Sequence, residues 1–216
     1  MKHFSFMLAA CLLAVTTFAQ SAKYVSAMEQ NIKALDTTRS VEGLNKLAHT
    51  FERIATAEKG EWLPYYYAAL AQVNRGYNML QGGNAATIDP VTDKAEALIK
   101  EAEALSSNNS EIYVVKKMIQ SLRFMVDPQA RYMQFAPRAQ EALDKAKSLN
   151  PDNPRVYLLE GQDKFYTPEQ YGGSKAEAKK LFELAQQKYN AFQPASSLSP
   201  AWGKGSLQYF LTQVNQ

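Results

Sequence analysis

The chain has 216 residues, 46% of them hydrophobic, with 24 basic and 21 acidic side chains and a formal net charge of +3. A balance this even, with both signs mixed along every segment, argues against a nucleic-acid partner, which calls for a basic stripe. One cysteine and two histidines leave little for thiol chemistry or a multi-histidine metal site.

The N-terminus reads as a secretory leader. Lys2 precedes an apolar run from Phe4 to Val15, and Thr17 and Ala19 supply small residues at −3 and −1. This predicts a signal peptide over 1–19 and a single helical domain over 20–216. The run is too short for a membrane anchor, so no transmembrane segment is expected in the mature chain. Leu8-Ala9-Ala10-Cys11 matches a lipoprotein cleavage site locally, but the apolar core continues past Cys11, which argues against lipidation. Cleavage after Ala19 removes Cys11 and His3 and leaves His49 as the single histidine. Roughly 200 residues can bury a sufficient core without disulfides.

Beyond the leader, apolar residues recur at three- and four-residue intervals. They predict helices near 22–36, 40–58, 61–80, 91–106, 110–126, 129–149, 153–165, 174–191 and 199–214. No segment alternates with period two, so no sheet is expected. An internal repeat runs through the middle. Ala95, Leu98, Ile99, Ala102 and Leu105 lie over Ala139, Ala142, Leu143, Ala146 and Leu149 at a shift of 44. The shift continues into the next helix, where Asn109 falls on Asn153, Ile112 on Val156 and Tyr113 on Tyr157. A third copy begins at Ala178. Small residues at seven-residue spacing let helices approach closely, and one hairpin cannot bury its apolar face alone, so hairpins stack.

The turns carry their own signals. Pro151 disfavours helix at Asn150, Asn153 is placed to cap, and Pro154 suits a first helical position. In "YTPEQYGGSK" (166–175) the Ser-Lys order and the missing first glycine fail the phosphate-loop pattern. Ser174 and Glu177 read instead as a capping box after a Gly172-Gly173 turn. Ser199-Pro200 reads as cap and first residue of the last helix.

The Ala139-Leu143-Ala146-Leu149-Pro151 pattern, with Tyr157 and Gly161 after it, resembles a tetratricopeptide repeat (TPR). The run from Asn153 through "FYTPEQYGGSKAEAKKLF" to "SPAWGKGSLQYFL", with "EWLPYYYAA" (61–69), is similar to exported TPR-like proteins of Gram-negative bacteria. The resemblance implies an all-α superhelix of about four hairpins plus a C-terminal capping helix, and export to the periplasm or envelope. It implies no chemistry.

The candidate site residues follow from exposure and residue type. Trp62 and Tyr67 belong to the densest aromatic cluster, with Tyr67 expected to face outward. Lys116, Lys117 and Arg123, with Arg155 from the next hairpin, are candidates for a mildly basic strip. Tyr166 and Tyr171 sit on a loop that can border a binding surface. No residue is singled out for catalysis, metal or cofactor, and His49 reads as an ordinary packing or surface histidine. The expectation is a non-catalytic protein whose concave groove takes a protein or peptide partner in the cell envelope. The other reading is a binder of a small molecule or glycan in an aromatic pocket.

Overall fold

The computed structural model describes residues 21–215. The expected leader, 1–19, lies outside them. The described chain is all-helical, without strands: α1 (Ala22–Thr37), α2 (Val41–Ala57), α3 (Trp62–Gln81), α4 (Ile88–Leu105), α5 (Ser110–Val126), α6 (Pro128–Leu149), α7 (Pro154–Tyr166), α8 (Lys175–Ala191) and α9 (Lys204–Gln213).

Short polar side chains start most of these helices. Ser21, Ser40, Asn109, Asp127, Asn153 and Ser174 each accept a hydrogen bond from a backbone N–H of the first turn. Such a cap is worth about 1 kcal/mol. Asn109 and Asn153 do this in the same way, each accepting at 3.0 Å from the N–H two residues on. The repeat is therefore real at the level of local structure. Its apolar positions Ala95, Leu98, Ile99 and Ala102 are buried, as are Ala139, Ala142, Leu143 and Ala146. Leu105, at the end of the pattern, is 43% exposed.

Helices pack chiefly on their sequence neighbours, but α3 also meets α1 and α5. Its alanines 68, 69 and 71 are fully buried. At Gly76 a Cβ would lie 2.4 Å from Leu122 Cδ2 of α5, so a larger residue would have to displace that side chain. Polar contacts also hold α5 beside α7, with Glu111 against Arg155 and Lys117 against Asp163.

Two loops depart from expectation. The last helix begins at Lys204, not near 199. Gly203 turns there with φ of 108°, and the preceding segment, which turns at 196–199, lies against α3, where Leu198 and Trp202 are bound. In the 167–174 loop Gly172 has φ of 90°. Gly173 is required for a different reason, because a Cβ there would meet the Thr167 carbonyl oxygen at 1.7 Å. Ser174 accepts from Glu177 N–H as expected, but the Glu177 carboxylate turns to Lys164 at 2.6 Å instead of closing the box.

Candidate functional site

A buried polar hub forms where α3, α5, α7 and the returning C-terminal segment meet. Asn153 and Ser110 sit at the N-termini of α7 and α5, which brings the residues just after them together. Arg155 is fully buried and holds Glu111 through Nε at 2.7 Å and through Nη2. Asn153 Nδ2 donates to Glu111 at 2.9 Å and to Ser110 Oγ at 3.0 Å, and Ser110 donates to the Ala146 carbonyl at 2.8 Å. Trp202 Nε1 donates to Tyr66 at 2.8 Å, and the Tyr67 and Tyr189 hydroxyls donate to the carbonyls of Leu198 and Trp202 at 2.8 and 2.9 Å. Burial by itself would lower the pKa of Arg155, but the charge and hydrogen bonds of Glu111 overturn this and hold it above its ordinary value. Burial, then Glu111, pushes the Tyr66 phenol well above its usual range, so it stays neutral. The hub is a satisfied network that fastens the chain end to α3.

This hub corrects two expectations. Tyr67 does not face outward. It is 2% exposed, because α3 is covered by α1, α2, α4, α5 and the returning segment. Arg155 is not part of a surface strip. The strip itself is not formed, since each cation meets a carboxylate within the fold. Lys116 pairs with Glu103 at 2.5 Å, the buried Lys117 with Asp163 at 2.6 Å, and the buried Arg123 with Asp93 and Glu96, both at 2.6 Å. Trp62 is half-buried, its ring edge-on to Tyr66 with centroids 5.5 Å apart.

Tyr166 and Tyr171 are exposed, at 65% and 75%. Tyr166 ends α7 and stands edge-on to Phe210 of α9, centroids 5.7 Å apart. Tyr209, 55% exposed, stands edge-on to the same ring at 5.2 Å. Phe165 is edge-on to Phe210 at 5.5 Å, and Phe182 stacks on it at 5.0 Å. Phe182 in turn occupies the bare face of Gly161, where a Cβ would lie 2.5 Å from the ring. The result is an aromatic platform, buried below and exposed above. Burial, then the nearby Tyr209, raises the pKa of Tyr166, which keeps its phenol protonated. Sequence reasoning found Tyr166 but missed Tyr209 and Phe210. The aromatic pair in "SLQYFL" is visible, but nothing local to it says that α9 returns to the end of α7.

A second concavity lies over α3 between α2 and α4. Lys94 of α4 bridges it to Glu52 of α2 at 2.6 Å. On one side is a cleft of about 430 Å³ whose lining includes His49, Gln72, Arg75, Met79 and Val91. On the other is a smaller one of about 270 Å³ at Tyr65 and Leu98. His49 is on the surface, its side chain 62% exposed. Among the described residues no cluster of His, Cys, Asp and Glu could hold a metal ion, and no helix is long and apolar enough to cross a membrane.

No protein-family model matches the chain, and no curated protein does. A solved structure is similar: the HusA haemophore of Porphyromonas gingivalis, at 30% sequence identity and a TM-score of 0.80, covering 91% of this chain and 95% of that one. That neighbour is named for carrying a ligand rather than for catalysis. With 30% identity over nearly the whole of both chains, the protein belongs to the family of the HusA haemophore.

Proposed function

We propose that this protein binds a planar, mainly apolar, carboxylate-bearing molecule of the haem class on the platform formed by Tyr166, Tyr209 and Phe210. The observation that carries the reading is the pair of exposed tyrosines edge-on to one buried phenylalanine. Large exposed aromatics that share one patch mark a ligand or partner surface. Ring contacts of this kind are worth about 0.5–1.5 kcal/mol each beyond area burial. Lys175 stands at the edge of the patch, its Nζ 5.9 Å from the Phe165 centroid, and suits a ligand carboxylate. The family relation to a haemophore supports the ligand class.

The residues fit the ligand through their rings. Stacking and apolar contact on these rings are the expected mode. Tyr171, exposed on the adjoining loop, borders the platform in this reading. The helix pairs form a TPR-like superhelix, which the equivalent caps at Asn109 and Asn153 support. The leader pattern supports a place outside the cytoplasm. A groove-bound protein partner is less well supported, because Tyr67, Lys117, Arg123 and Arg155 are engaged within the fold.

The test is a haemin titration followed by the Soret band. Tyr166→Ala combined with Tyr209→Ala is expected to weaken binding at least about tenfold. The corresponding Phe variants keep it, since they keep the rings. Loss in the Phe variants would assign the binding to the hydroxyls instead.

A further inference from the structure

Arg75 stands apart from the other buried or half-buried arginines. Arg123, Arg131 and Arg155 each meet a carboxylate. Arg75, half-buried on α3, has one hydrogen bond, from Nη1 to Gln72 Oε1 at 3.2 Å, and no carboxylate among the described residues. Its Nε is buried without an acceptor. A donor taken out of water without an acceptor is costly, and native folds seldom leave one so.

The surroundings say what would complete it. Arg75 lines the open cleft of about 430 Å³ between α2 and α4. No carboxylate lines this cleft. The other fixed cation there, Lys94, is already neutralised by Glu52 at 2.6 Å. The site therefore has one positive charge to spare, which suits a monoanion better than a dianionic phosphate. A planar guanidinium matches a carboxylate. Met79, Pro90 and Val91 give the same cleft an apolar wall for the body of the ligand.

We infer that the cleft between α2 and α4 is a second binding site, for a small organic monocarboxylate with an apolar body, anchored on Arg75. It shares no element with the platform on α7, α8 and α9, and does not rest on the haem reading.

The test uses octanoate as probe and octanol as the uncharged control, followed by ¹⁵N NMR of the labelled protein. Octanoate is expected to shift the Arg75 Nε–H and the Val91 and Lys94 amides saturably, with Kd below about 10 mM. Octanol should not shift the Arg75 resonance. Arg75→Met should abolish the response without lowering the thermal midpoint, because it removes an unpaired charge. His49→Glu, which places a carboxylate at the exposed rim, should weaken binding at least about fivefold by repelling the probe and occupying Arg75. Tyr166→Ala with Tyr209→Ala should leave the response unchanged. No saturable shift, an equal response to octanol, persistence in Arg75→Met, or shifts confined to the platform would each overturn the inference. So would a fall of several degrees in the midpoint of Arg75→Met, which would make Arg75 a structural residue.

Discussion

The hub around Glu111 and the platform around Phe210 are both rich in aromatic side chains, yet one is closed and the other open. In the hub the hydroxyls of Tyr67 and Tyr189 and the indole of Trp202 all have fixed partners, and Arg155 is fully buried against Glu111. On the platform Tyr166 and Tyr209 offer rings to solvent over a buried phenylalanine. The difference is positional. α3 is central and its Tyr66 and Tyr67 are covered by neighbouring elements, whereas Tyr166 at the end of α7 and Tyr209 on α9 are left exposed. Residue type alone does not assign a tyrosine to core or surface. The number of elements that reach it does.

The comparison can be broken from the hub side first, where effects should be largest. Glu111→Ala leaves the Arg155 charge buried and unpaired, and should cost about 3–5 kcal/mol in urea unfolding. Replacing both partners, Glu111→Leu with Arg155→Met, should recover much of that loss. A cost below about 1 kcal/mol for Glu111→Ala would mean the pair is solvated and the hub is not what fastens the chain end. Tyr67→Phe removes the bond to the buried Leu198 carbonyl and should cost about 1–2 kcal/mol by the same assay. The platform should behave oppositely. Tyr166→Ala and Tyr209→Ala should each change stability by no more than about 0.5 kcal/mol, because both side chains are mostly in water. A large loss there would make the platform structural.

The smallest effect concerns pH. The hydrogen bonds from Arg131 hold the Asp89 carboxyl below its usual pKa, with burial opposing. A depressed folded value means the unfolded chain binds the proton more readily. The stabilisation is therefore present above the unfolded pKa, about 3.9, and is lost as pH falls through the folded value. Asp89→Asn should flatten this acid limb of the stability curve, measured by thermal unfolding between about pH 5 and pH 2. An unchanged limb would show that the pair is too solvated to matter.

Much of the fold was legible because helix signals are local. Asn153-Pro154 and Ser174 mark their helix starts to within a residue, and Thr167-Pro168 marks a helix end. The start of α9 was misread, because Ser199-Pro200 is a valid cap pattern that lost to the long-range binding of Leu198 and Trp202 by α3. The hub was hidden for the same reason, yet one clue existed. The shift of 44 that lays Asn109 on Asn153 also lays Glu111 on Arg155, and equivalent positions of adjacent repeats lie side by side. Opposite charges there announce a pair, not a strip. Tyr166 could be read as a loop aromatic, but its partner Tyr209 could not, since nothing local says that α9 returns to α7.

The most direct test of the account is a haemin titration of the wild-type protein beside the Tyr166→Ala, Tyr209→Ala double variant, with thermal unfolding of both. The account predicts a saturable Soret shift in the wild type, at least about tenfold weaker binding in the variant, and closely matching midpoints. Wild-type affinity in the variant, or its loss in His49→Ala instead, would contradict the platform as the site.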